Sequence, residues 1–393
     1  MPLFIPARSG DIFNAALLLL TQWALVWFLL RDWKHRMSAD AWRATLIGLV
    51  FIWSLCGAGL ILPVYAYRTT SAWVAGVRSA TLAVEMLYSI LSGTTIAVYA
   101  LYRYVAGHEA CHTSPGRREL LRGAAGLLMA APVAAAGYGV FVERTRFHVK
   151  EVDLPVPNLH PDLANLRLVQ VSDLHVSPYL SVRDAGRVVD MANELRADIA
   201  LVTGDIISDF GDPLEEAIRE LGRLRATAGV LGCHGNHEIY ARCQSRASAL
   251  CAKQGIDILR GRSRELQFGG GRLNIAGVDY QRIGRPEKYL IGAEHLVRQG
   301  ASNILLSHSP DVFPVAVNKG YDAVLSGHTH AGQVTVEYLN QTLNMARFFT
   351  PYVAGLYRIN ARSCYVTAGI GTIGMPVRLG ADPELTLLRL RPA

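Results

Sequence analysis

The sequence predicts two structural units: an α-helical membrane region of about four transmembrane helices over residues 1–145, followed by an α/β domain over residues 146–393. Three observations carry this division. At 393 residues the chain exceeds the usual single domain of about 100–150 residues. Its first 142 residues hold long uncharged apolar runs, each near the ~20 residues that cross a hydrocarbon core. After Val149 the pattern changes to short apolar runs separated by polar, Gly-rich and charged segments, as strands alternating with helices require.

The expected spans are residues 12–30, 44–67, 79–102 and 120–142. Trp23, Trp27, Trp33, Trp42 and Trp53 fall in or beside the first two, several where interfacial rings sit. Glu85 lies inside the third, where an acidic side chain costs about 2.5–3.5 kcal/mol on insertion scales. Arg31, Lys34, Arg36 and Arg43 follow the first span, and Arg103, Arg117, Arg118 and Arg122 follow the third. That bias assigns those loops to the cytoplasm, and with them a multi-pass location in the cell (inner) membrane with the α/β domain extracytoplasmic. Arg144, Arg146 and Lys150 oppose the assignment. The segment Ser114 to Arg122, with Arg117-Arg118 ahead of an Ala/Gly-rich run, reads either as a twin-arginine export signal placed internally or as the basic flank of a fourth span.

A net charge of +7 invites a nucleic-acid reading, but several of the arginines flank the apolar runs. No basic stretch with interleaved aromatics and no zinc-finger spacing occurs, so no nucleic-acid partner is expected. The six cysteines form no CxxC pair, and a Cys243–Cys251 bridge stays open.

Within the α/β domain, an extended segment over residues 147–154 precedes an apolar strand over 166–171, which ends in Ser172-Asp173-Leu174-His175. Residues two apart on an extended backbone project to one side, so Asp173 and His175 can share a ligand. A helix over 182–195 leads to the strand 199–203 and then to Gly204-Asp205, a carboxylate at a carboxyl strand end where open α/β sheets bind ligands. A helix near 213–225 and a strand over 229–233 deliver Gly235-Asn236-His237-Glu238. There a glycine turn presents an amide oxygen beside a titratable imidazole. Residues 258–279 read as β-rich, with Gly269, Gly270 and Gly271 in a hairpin turn and no helix following as a phosphate loop requires. Strands at 304–306 and 323–325 end in Ser307-His308 and in Gly327-His328-Thr329-His330. Each cluster alone has a bland reading as turn chemistry or packed histidine. Five strand ends repeating the pattern do not.

Asp-x-His, Gly-Asp, Gly-Asn-His-Glu, a lone His and Gly-His-x-His, in this order, resemble the calcineurin-like metallophosphoesterases. The tail, Tyr352 to Tyr357, Gly369-Ile370-Gly371 through Pro376-Val377-Arg378, and Pro383-Glu384-Leu385, resembles the membrane-associated or exported branch of that family. The resemblance implies two mixed β-sheets sandwiched by helices and two metal ions at the strand ends. Carried over by motif, Asp173, His175 and His330 would hold the first ion, Asn236, His308 and His328 the second, and Asp205 both. Such mixed nitrogen and oxygen ligands suit Mn, Fe or Zn.

Two ions so placed would activate a bridging hydroxide for in-line attack on phosphorus, with His237 giving a proton to the leaving oxygen. Where many relatives carry an acidic residue three positions after the bridging aspartate, this chain has Ser208. The expected activity is a membrane-anchored, dinuclear metal-dependent phosphoric ester hydrolase whose partners are a phosphorylated small molecule or lipid and the lipid bilayer. Two alternatives accompany it: a hydrolase of a lipid-linked phosphate or pyrophosphate, and a non-enzymatic metal-binding scaffold or sensor.

Overall fold

The computed structural model describes residues 138–393 apart from 283, 339–340 and 375, and in the amino-terminal part only residues 20, 23, 24, 27, 38–40, 42, 43, 46 and 47. Backbone contacts divide the chain into two compact units, Met1–Tyr138 and Gly139–Ala393. The second begins earlier than the expected boundary at 145. Glu143 is buried within it and accepts the Gly380 amide at 2.7 Å, while the Arg144 guanidinium donates to the Tyr179 carbonyl.

The expected membrane unit requires correction. Among the described residues no helix is long and apolar enough to cross a membrane. The longest, at 13 residues, reaches about 20 Å against a hydrocarbon core of about 30 Å. The third expected span and Arg117-Arg118 lie outside the described residues, as does most of the other three spans. The transmembrane unit, the bilayer as partner, the multi-pass extracytoplasmic placement and the exported-branch assignment are accordingly withdrawn, and the lipid-linked substrate goes with them.

The second unit contains fourteen strands in the described residues. In chain order they are β1 His148–Val156, β2 Arg167–Val171, β3 Ile199–Thr203, β4 Val230–Cys233, β5 Ile256–Ile258, β6 Arg262–Phe268, β7 Gly271–Gly277, β8 Ser302–Leu306, β9 Ala323–Ser326, β10 Thr335–Tyr338, β11 Gln341–Asn344, β12 Gly355–Ile359, β13 Arg362–Val366 and β14 Glu384–Pro392. One six-stranded sheet has the order β1-β14-β2-β3-β4-β5 and the other β12-β13-β9-β8-β7-β6, with β10-β11 a separate hairpin. Both sheets are mixed. In the first, only β14 and β2 pair antiparallel; in the second, antiparallel outer pairs flank a parallel centre.

The strands read as unbroken apolar runs because both faces are covered. Leu168, Ile199, Leu201 and Leu231 of the first sheet meet Ile275, Ile304, Leu306 and Leu325 of the second in one buried cluster between the sheets. The alternating residues Val169, Val171, Ala200 and Val202 face helices instead. These are α1 Val182–Glu194 and α2 Leu214–Leu221, which lead in turn to α3 Asn236–Tyr240, α4 Gln244–Lys253 and, on the second sheet, α5 Phe313–Asn318. Helix α1 starts at Ser181, whose hydroxyl accepts the Asp184 amide while the Asp184 carboxylate accepts that of Ser181; such caps contribute about 1 kcal/mol. Its buried stripe is Ala185, Val188, Val189 and Ala192, the spacing of one helical face. Val324 and Leu305, on the outer face of the second sheet, pack with Phe313 and Ala316 of α5. The result is four layers, helix, sheet, sheet, helix, as the resemblance implies. Cys243 and Cys251 are buried free thiols, which closes the disulfide question for that pair.

Candidate metal centre

The carboxyl ends of β2, β3 and β4 from one sheet and of β8 and β9 from the other carry all the predicted site residues, and the fold brings them to one place. Three overlapping groups each have ligand atoms within 4.8 Å of one another: Asp173, His175 and His330; His175, Asp205 and His237; and Asp205, His308 and His328. Asn236 lies beside them through its neighbour: the His237 amide donates to Asp205 Oδ1 at 2.8 Å.

The local backbone differs from the extended strand ends expected. Asp173, His175, Asp205, His328 and His330 all have positive φ, between 50° and 76°. Side chains rarely adopt this region, and each such residue costs about 1–3 kcal/mol that the surrounding packing must overcome. Because of this turn His328 and His330 do not point the same way, as an extended His-x-His would; they enter different groups. Gly235 also differs from expectation. Its φ of −97° suits any residue, but a Cβ there would stand 2.2 Å from Asp205 Oδ1. Glycine is required for close approach of two loops, not for a turn.

The donor set fits cations. His308 Nδ1 lies 2.7 Å from the Thr203 carbonyl, to which it donates, so Nε2 turns toward Asp205 Oδ2 at 2.9 Å and Asp173 Oδ1 at 3.7 Å. Both groups are wholly buried, and a lone pair facing a carboxylate there is repulsive unless a positive charge lies between them. Burial lowers the pKa of His308, yet the Asp205 and Asp173 carboxylates override it and raise the imidazole to about 10. The pocket demands a proton or a metal at this point. Asn236 Oδ1 is buried with no hydrogen-bond partner among the described residues, as an orphaned ligand oxygen would be. Burial opposes ionisation of Asp205 too, but His308 and His175 hold its pKa well below the usual carboxylate value. Burial, reinforced by His308, lowers His328 to about 3, which leaves a neutral imidazole with a lone pair to offer.

Supporting contacts orient these side chains. Ser172 Oγ donates to Asp173 Oδ2 at 2.6 Å, and the His328 amide donates to Oδ1 at 3.0 Å. His237 Nδ1 donates to the Ser208 carbonyl, and Ser208 Oγ stands 3.2 Å from His175 Nδ1. At Ser208, where the resemblance led one to expect an acidic side chain, the backbone carbonyl orients His237 instead. Asp212 holds that loop by accepting the Ser208 and Asp209 amides.

Two contributors lie outside the predicted site residues, the first of them, Glu238, expected from the sequence only to cap the following helix or to support the ligands. Glu238 is fully buried and accepts three amides, Gly235 and Asp205 at Oε2 and Ile206 at Oε1. It caps α3 and fixes the Asp205 loop at once; its place three residues after Gly235 was the available signal. Tyr280 packs its ring 5.2 Å from His328 and 6.2 Å from His308, and no local pattern marks it.

Comparisons agree with the geometry. A family profile described as "Calcineurin-like phosphoesterase" matches residues 166–332. The "Uncharacterized metallophosphoesterase YkuE" of Bacillus subtilis is 28% identical over 281 residues, covering 70% of this chain and 97% of that protein. The bovine (Bos taurus) "Transmembrane protein with metallophosphoesterase domain" is 30% identical over 323 residues, covering 77% of this chain and 70% of that protein. Among solved structures, the phosphopantetheinyl hydrolase PptH of Mycobacterium tuberculosis aligns with 49% of this chain and 95% of its own at 14% identity, with a TM-score of 0.33. The ligand clusters and the matched family make this chain a metal-dependent hydrolase with places for two metal ions. It belongs to the calcineurin-like phosphoesterase family.

Proposed function

We propose that the chain hydrolyses a phosphate ester of a phosphorylated small molecule, with Asp173, His175 and His330 holding one ion, Asn236, His308 and His328 the other, and Asp205 serving both. The observation that carries this reading is the overlap of the groups through Asp205 and His175, since a shared carboxylate is what sets two ions side by side. When bound, two such ions supply charge for the phosphoryl oxygens and activate water for attack at phosphorus.

His237 acts on the leaving group. Its Nδ1–H is occupied by the Ser208 carbonyl and its backbone by Asp205, which leaves the Nε2 lone pair to take up a proton from solvent and pass it to the leaving oxygen; burial lowers the ring's pKa, so a proton so acquired is given up readily. The ring stands edge-on to His175 with centroids 4.7 Å apart and belongs to the group with His175 and Asp205, which puts the proton carrier next to the reacting phosphoryl group. Tyr280 walls the second side of the site and limits how a substrate approaches His308 and His328.

The test is a hydrolysis panel of monoesters, diesters and pyrophosphates on the full chain loaded with Mn, Fe or Zn. Metal-dependent release of one product class is expected. Full metal loading with no turnover on any class would overturn the reading.

A further inference from the structure

Arg378 is wholly buried, the largest such side chain among the described residues, and its hydrogen bonds to oxygen all go to backbone carbonyls. It spends its donors on carbonyls: Nε on Gly371 at 3.0 Å, Nη1 on Ala381 at 2.9 Å, and Nη2 on Ala368 at 2.9 Å, Gly369 at 3.0 Å and Gly371 at 2.6 Å. One guanidinium therefore gathers the turn 368–371 around itself. A planar fork with five N–H groups can do this, and an ammonium cannot.

That turn is bound to the first ligand group on its other side. The Gly371 amide donates to the Asp173 carbonyl at 2.7 Å, and the Ile370 amide to that of Ser172 at 3.1 Å. A Cβ on Gly369 would stand 2.6 Å from the Asp173 Cβ, so the turn is pressed against the ligand itself. The Gly371 carbonyl, already accepting from Arg378, also lies 3.3 Å from His330 Nδ1. Arg378 Nη2 is 3.4 Å from the same Nδ1, farther than from its carbonyls, so the guanidinium protons go to oxygen and Nδ1 keeps its own. His330 is then the Nδ1–H tautomer, with the Nε2 lone pair turned to Asp173 Oδ1 at 3.4 Å and to His175 Nε2 at 3.1 Å.

We propose that Arg378 is a positioning residue for the first metal site: it fixes the 368–371 turn so that the Gly371 carbonyl sets the tautomer and direction of His330 while the turn's backbone holds Asp173. This rests on the ligand roles given to Asp173 and His330 above. A structural role alone would pin the carboxyl-terminal loop without reaching the metal, and metal content separates the two.

The experiment measures Mn ions per chain and their dissociation constants on the full chain for the wild type, R378K and R378Q, with far-UV circular dichroism as the control for folding. R378Q is expected to fall from two ions to one at an Mn concentration that saturates the wild type, with affinity at the lost site weakened 10–100-fold. R378K, which keeps the charge but not the fork, should recover part of that loss. Folded variants that bind two ions with unchanged constants would overturn the proposal, whatever their thermal stability. If a variant fails to fold, the unaltered metal-free chain decides by 15N-histidine NMR, the His330 signal being identified by its loss in H330Q. An Nδ1–H imidazole supports the proposal and an Nε2–H imidazole overturns it. Because hydrolysis is not the readout, a failed activity panel and a failed Arg378 assignment are distinguishable.

Discussion

The Nε2 atoms of His175 and His330 lie 3.1 Å apart between two buried rings. Each ring has a partner on its other nitrogen, Ser208 Oγ for His175 and the Gly371 carbonyl for His330. Two nitrogens so placed need a proton on one of them or a cation between them, and a bound metal ion would hold both rings at once. Removing metal should therefore destabilise the fold. At a free ion concentration a hundredfold above the dissociation constant, chelation is expected to lower the melting temperature by roughly 5–10 °C, and added Mn or Zn to restore it. Calorimetry with and without a chelator checks this, and coincident transitions would count against the site.

Replacing His237 by Asn should lower kcat by about 10²–10⁴-fold, the usual worth of a positioned acid, and leave two ions per chain. The loss should shrink for aryl phosphates whose leaving group needs no proton. Metal analysis beside the kinetics separates the roles: ions lost in step with activity would make His237 a ligand.

Glu238→Gln converts one of two accepting oxygens into an amide NH2 facing backbone N–H groups of Gly235, Asp205 or Ile206. At least one buried amide is left unpaired, at a cost of about 1–3 kcal/mol. The urea midpoint should fall accordingly, with weaker metal binding because the Asp205 loop is loosened. A midpoint within error of the wild type would remove Glu238 from this role.

Asp212 offers a dependence on pH. Burial raises its pKa from the ordinary 3.8 to about 6, against the two amides that favour its ionised form. A carboxyl raised on folding contributes stability below 3.8 and loses it as pH rises through about 6. Asp212→Asn should thus match the wild type in relative stability below that window and exceed it above pH 6, by up to the order of 3 kcal/mol. Melting curves from pH 4 to 8 on both proteins test the crossing, and parallel curves would refute it.

The candidate site was legible because its proposed ligands follow apolar runs in a fixed order, and such runs announce buried strands by themselves. Asp173, His175, Asp205, Asn236, His308, His328 and His330 could be gathered on that basis and by family resemblance. Their backbone could not: five of these residues sit at positive φ, a conformation imposed by the packing of neighbouring loops rather than by their own propensity. Gly235 illustrates the same limit, since its need for a missing Cβ arises from Asp205, distant in sequence. The expected membrane unit failed differently. Apolar composition measures what a segment can bury and leaves open what will cover it, and among the described residues no helix has the length to span a bilayer. Arg378 carries no pattern of its own; its meaning lies in the carbonyls it meets.

Strand β14 lies between β1 and β2, pairing His148 with Glu384 at one end of the β1 ladder. On a ribosome adding about 5–20 residues per second, β1 emerges and then waits roughly 10–50 s for the strand that will hold it. Throughout that interval its backbone donors and acceptors are an open edge to any other nascent chain. Synthesis of this protein thus carries a period of exposure that its finished sheet conceals. Loss of residues 384–392 would make that exposure permanent, removing β1 from the sheet along with β14.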